Sequence, residues 1–137
     1  MVYRGAMSSE RIVRVVAAVI ESDGRYLITQ RRSSAVLPNL WEFPGGKVEP
    51  GERDEDALQR EIRERLDAQV RVLQMISFVR HPYERYTVDL HLYQCELQSD
   101  VRIVGVQDFR WISSDQFDDF EFTPADEASM TKLLEER

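Results

Sequence analysis

The sequence predicts a single α/β domain, a mixed β-sheet flanked by helices. Three observations carry that prediction. Residues 12–20 and 25–30 are two apolar-rich runs separated by Asp23-Gly24, a turn signal, so they read as a hairpin. Residues 54–66 show a helical period, with Leu58, Ile62 and Leu66 on one stripe at four-residue spacing. Strand-like runs resume over 70–80 and 86–97. Strands and an amphipathic helix interspersed in one chain must bury their apolar faces against each other in layers.

Taken in order, residues 1–10 are polar and unpatterned and are expected to form a flexible N-terminal tail, with Met7 as an alternative start. Residues 11–137 then form the one domain that 137 residues comfortably supply. After the hairpin, 31–40 reads as a loop leading into Trp41-Glu42-Phe43-Pro44-Gly45-Gly46-Lys47-Val48. A further strand is expected over 107–112 and a short helix over 113–117. A C-terminal helix over 124–136 has Pro124 in its first turn, where a missing N–H costs nothing.

Composition removes several function classes. No apolar run approaches the roughly 20 residues that span a bilayer, and residues 1–10 lack a secretory signal, so no membrane role is expected. A lone cysteine, Cys95, forms no internal disulfide and no cysteine-rich metal site, which suits a cytoplasmic setting. The net charge of −7 argues against gripping a long nucleic acid but leaves small phosphate ligands open.

The chemistry concentrates in residues 45–68. On a helix Glu61, Glu64 and position 65 share one edge, beside the packed leucine stripe. Two carboxylates so placed suit Mg²⁺, which takes oxygen ligands and keeps waters and phosphates in its shell. Gly45-Gly46 allows close backbone approach. The alternative is a solvated charged face, in which Glu61 and Arg65 form an i,i+4 pair worth only about 0.2–0.5 kcal/mol.

The whole segment resembles the Nudix box, Gly-x5-Glu-x7-Arg-Glu-U-x-Glu-Glu-x-Gly-U, with U a bulky aliphatic. Gly46 is followed after five residues by Glu52, and after seven more by Arg60-Glu61-Ile62-Arg63-Glu64. The run from Trp41 to Glu52 is similar to MutT-like members, as are Arg80-His81-Pro82-Tyr83 and Phe122-Thr123-Pro124-Ala125-Asp126 further on. The resemblance implies an α/β/α sandwich and a Mg²⁺- or Mn²⁺-dependent hydrolase. In MutT-like enzymes a nucleoside triphosphate is cut to a monophosphate and pyrophosphate, in some cases to clear oxidised or modified nucleotides. It implies Glu61, Glu64 and the Gly45 carbonyl as metal ligands, Glu61 also helping to activate water. It implies Arg31 and Lys47 near the phosphates and a structural pair of Glu52 with Arg60. Asp126 stands where such enzymes read the base, and His81, Tyr83 and Tyr86 are candidates to line the base site by stacking. As an acceptor, Asp126 favours a base with amino hydrogens such as cytosine; the alternative is an acid at a helix N-terminus. The partner expected is thus a nucleotide, and the chain a monomer or a homodimer.

Three positions depart from the pattern. Arg65 replaces the last glutamate of the box, and Asp67 replaces its glycine. The loop before Trp111, where a further metal-binding glutamate is expected, reads Val104-Gly105-Val106, with Asp108 the nearest acid. Two readings therefore stand: a hydrolase with a reduced metal site, and a Nudix fold that binds a nucleotide or a partner without cleaving it.

Overall fold

β1 (Ile12–Ser22) organises the sheet, because its apolar residues point alternately to two covered faces. The computed structural model describes residues 11–135, so the expected tail over 1–10, Met7 and Glu136 lie outside it. One edge of β1 runs parallel to β6 (Thr87–Leu97), from Ile12↔Thr87 to Ile20↔Cys95. Its other edge is divided. The first half takes β4 (Gly45–Lys47), through Val15↔Lys47 and Ala17↔Gly45, and the end takes β2 (Arg25–Gln30) in the expected hairpin. β2 carries β3 (Trp41–Glu42) and β7 (Asp108–Ile112), and β5 (Val70–Pro82) closes the far edge on β6. The result is a seven-stranded mixed sheet. β3 and β4 are too short to show a period, and the sequence left them unmarked.

Both faces are covered. Val16, Ala18, Ile20 and Leu27 pack on Ala57, Leu58, Ile62 and Leu66 of α1 (Asp54–Leu66). Ala17, Val19, Ile28 and Leu92 pack on Phe117, Phe122, Ala125 and Met130, which belong to a 3₁₀ turn (Ser114–Asp119), the segment after it and α2 (Pro124–Glu135). The expected short helix over 113–117 is this 3₁₀ turn, which starts one residue later and ends two residues later than the sequence indicated. No helix among the described residues is long and apolar enough to cross a membrane.

α1 has the bounds that its periodicity predicts, and Asp67 ends it. That residue takes the left-handed conformation at φ 50° and ψ 39°, donating its N–H to the Arg63 carbonyl at 3.0 Å. Aspartate tolerates this backbone and glycine prefers it. Asp67→Gly is expected to raise stability by about 0.5–1 kcal/mol in urea denaturation. The ion pair lost, to Arg102 at 3.6 Å, is solvent-exposed and contributes little.

Candidate active site

A cleft of about 350 Å³ opens where β1 divides between β4 and β2. Val13, Val15, Val88 and Leu90 line it from β1 and β6, and Tyr83 and Tyr86 form an aromatic wall with rings stacked at 5.2 Å. Arg31, Lys47 and Arg65 bring positive charge, while Glu42 and Asp126 bring carboxylates.

At the α1 side, the Glu61 carboxylate sits against Gly46, where any Cβ would overlap it. That fixes why glycine is needed there. One Glu61 oxygen accepts from Arg60 Nη1 at 3.2 Å and the other from Arg65 Nε at 2.7 Å. Arg60 also donates to both oxygens of Glu52, at 2.7 and 3.0 Å, and to the Lys47 carbonyl at 3.0 Å. Glu52 takes the Glu49 N–H as well, at 2.9 Å. The Arg60 hydrogen bonds hold the Glu52 carboxyl down to about 2. The loop after β4 is thereby tied to α1, the helix that carries Glu61.

Glu64 lies one turn on, with its side chain 60% exposed and 3.2 Å from the same Arg60 nitrogen. It does not line the cleft, whereas Gly45, Lys47 and Arg31 do. Among the described residues no three acids, histidines or cysteines group around a cation position. Two carboxylates within reach of one guanidinium nitrogen, beside a side-chain-free glycine, fit a Mg²⁺ that keeps waters and phosphate oxygens as its other ligands.

Position 105 shows why no acid serves from that loop. Gly105 and Val104 donate their N–H groups to the Arg65 carbonyl at 2.9 and 3.1 Å, pressing the loop onto α1. A Cβ at Gly105 would stand 3.1 Å from the Glu64 carbonyl oxygen and 3.2 Å from the Arg65 Cα, a tight fit that a side chain enters only if the loop shifts slightly. Asp108 is turned to its own strand, accepting from Phe109 N at 2.8 Å and Arg110 Nε at 3.1 Å.

At the other end, Thr123 N donates to the Trp41 carbonyl at 3.0 Å and brings the start of α2 beside β3. Asp126 accepts from Phe43 N at 3.0 Å and from the Thr123 hydroxyl at 2.5 Å. Glu42 accepts from Arg31 Nη1 at 3.2 and 3.4 Å, while Arg31 Nε donates to the Val36 carbonyl at 2.6 Å. Burial raises the Glu42 carboxyl, with Arg31 and Arg65 opposing it. Burial, then the nearby Glu42 charge, pushes Asp126 up to about 7. Asp126 stands in the first turn of α2 and also lines the cleft. Tyr83 reaches the same turn, its hydroxyl accepting from Ala125 N at 3.2 Å. His81 meets the Tyr83 ring at 4.7 Å and is not among the residues that line the cleft.

The profile of the NUDIX domain family matches residues 15–132. The chain belongs to the Nudix family. It is 32% identical over 117 residues to the CTP pyrophosphohydrolase of Escherichia coli K12, an alignment covering 85% of this chain and 87% of that protein. The solution structure of the E. coli ORF135 protein superposes with a TM-score of 0.81 at 30% identity, covering 93% of this chain and 91% of that one. The MutT protein of methicillin-resistant Staphylococcus aureus 252 superposes at 0.72 with 35% identity, covering 93% and 99%. Sequence and fold together make this a MutT-like Nudix hydrolase.

Within that Nudix cleft, sequence reasoning missed Glu42. Its signal was available: an acid held between Trp41 and Phe43, two aromatics that belong in a core.

The buried Asp126 yields a sign-definite test. Its folded value of about 7 lies above its ordinary 3.8, so its contribution to stability is full below about 4 and is lost as pH rises through 7. Asp126→Asn keeps both hydrogen bonds, accepting from Phe43 N and donating to Thr123. The variant is expected to flatten the fall in Tm between pH 4 and 8 and to melt above wild type at pH 8. An unchanged slope in a pH series of melting curves would count against a protonated Asp126.

Proposed function

We propose that this Nudix domain hydrolyses nucleoside triphosphates to monophosphate and pyrophosphate with the help of a divalent cation, Mg²⁺ or Mn²⁺. One observation carries the reading. A single cleft brings together an apolar, tyrosine-walled slot, the acids Asp126 and Glu42, and the cations Arg31, Lys47 and Arg65, and the Glu61 carboxylate sits against the Gly46 that lines it. The slot suits a base, the cations suit phosphates, and the acid lies where the phosphates must run.

Glu61 and Glu64 are the side chains that would hold the cation, with the Gly45 carbonyl as the uncharged oxygen. Bound there, such an ion neutralises phosphate charge and lowers the pKa of a water. Glu61, held at one oxygen by Arg60, would accept a hydrogen bond from the water that attacks the β-phosphorus and so orient it. Arg31 and Lys47 take up charge on the phosphate oxygens. At the base end, Asp126 offers an acceptor when ionised and an O–H when protonated, which matches the N4 amino group and N3 of cytosine. The name of the CTP pyrophosphohydrolase relative supports a cytosine nucleotide in particular. Clearing of oxidised or modified nucleotides is a role that the same hydrolysis would serve.

The test is product identity from a panel of ordinary and modified nucleoside triphosphates, with Mg²⁺ and with Mn²⁺. Monophosphate with pyrophosphate, and the highest kcat/KM on cytosine nucleotides, is the expected result. A second reading, recognition without hydrolysis, is favoured by Arg65 resting on Glu61. It is the answer if nucleotides bind without metal and no product forms.

A further inference from the structure

Arg65 is the one cleft residue whose charge is opposite to what the family pattern puts there, and its surroundings are unusual for a guanidinium. Its backbone is fixed: the carbonyl accepts from Val104 and Gly105, and the residue lies in the last turn of α1. Its side chain is only lightly held. Nε donates to Glu61 at 2.7 Å, and Nη1 stands 3.9 Å from Glu42, beyond hydrogen-bond range. Among the described residues neither Nη group makes a hydrogen bond, so four N–H donors remain uncommitted. The side chain is 28% exposed and lines the cleft with Arg31 and Lys47.

We propose that Arg65 is a polyphosphate ligand, and that its release from Glu61 couples phosphate binding to cation binding. The proposal rests on the nucleotide reading of the same cleft. Free donors on a planar guanidinium, facing a cavity lined by three other cations, Arg11, Arg31 and Lys47, match the oxygens of a phosphate chain. The only hydrogen bond that holds the head is made to the carboxylate that a divalent ion also needs. With Arg60 on one Glu61 oxygen and Arg65 on the other, a cation must compete with Arg65 for Glu61. A phosphate that draws Arg65 away frees that oxygen, so each ligand raises the affinity of the other.

The experiment uses the full chain and needs no turnover. Inorganic tripolyphosphate is titrated by calorimetry, in excess EDTA, into wild type, Arg65→Lys and Arg65→Ala. Free Mn²⁺ is followed by electron paramagnetic resonance in the same three proteins, with and without tripolyphosphate. The alanine variant is expected to bind tripolyphosphate about tenfold or more weakly, with lysine between. It is also expected to bind Mn²⁺ more tightly than wild type when no phosphate is present, a difference that shrinks at saturating tripolyphosphate. Equal tripolyphosphate affinity in wild type and Arg65→Ala, at equal Tm, overturns the phosphate role. Equal Mn²⁺ affinity without phosphate overturns the competition for Glu61. A protein that behaves as expected here yet releases no product from any nucleotide leaves this inference intact and removes the proposed hydrolysis.

Discussion

Glu61→Gln is expected to lose the proposed pyrophosphate release by about 100- to 10,000-fold while the protein stays folded. The amide keeps the shape of the side chain against Gly46 and removes the charge that the proposed mechanism assigns to holding the cation and the attacking water. Folding survives because each guanidinium retains another acid. Arg60 keeps Glu52 and Glu64, and Arg65 keeps Glu42. Steady-state product release and a melting curve on the same sample separate the two effects. Turnover within a factor of ten of wild type would show that the chemistry is not run from Glu61.

The two adjacent glycines give the second large effect, and they separate site from scaffold. At Gly45 an added Cβ would overlap the backbone carbonyl of Val16, which β1 cannot move without breaking its pairing with β4. Gly45→Ala is therefore expected to cost about 1–3 kcal/mol or more, read as a lower urea midpoint. At Gly46 the overlap is with the far end of the Glu61 side chain alone. That end can swing away, so Gly46→Ala is expected to fold with nearly the wild-type midpoint and to lose turnover almost as completely as Glu61→Gln. An active Gly46→Ala variant would mean that the Glu61 carboxylate does not work from the position seen here.

Much of this molecule was legible before any coordinates, for reasons that differ by element. α1 was readable to its ends because thirteen residues of amphipathic period end on a residue that tolerates a left-handed backbone. β1 and β2 were readable because their apolar runs bracket a turn dipeptide. β3 and β4 were not, since two or three residues carry no period and their pairing is decided by distant partners. Within the site, Arg31 and Lys47 were pointed to by the family resemblance and line the cleft, and Glu61, marked by its place on the helix, sits against Gly46. Glu42 was missed although its aromatic neighbours mark a core segment, because its partners come from elsewhere in the chain, Arg31 at 3.2 Å and the segment Glu121–Thr123 running alongside β3. Likewise Glu64 and Glu61 share a helix edge in sequence, but only Glu61 is drawn under Gly46 by two arginines. Helical spacing gives the direction of a side chain and not which counter-charge will claim it.

Arg31, Glu42, Arg65, Glu61, Arg60 and Glu52 stand in a row of alternating sign, each within ion-pair distance of the next. Three guanidiniums balance three carboxylates. Arg65→Glu alone would leave two against four, crowding like charges that are partly shielded from solvent. Substitutions along this row therefore will not act independently, and the effect of one will depend on which neighbour has already changed. A cleft wired in this way is expected to tolerate paired exchanges better than single ones, so a path back to a glutamate at position 65 runs through a compensating change at a neighbouring acid.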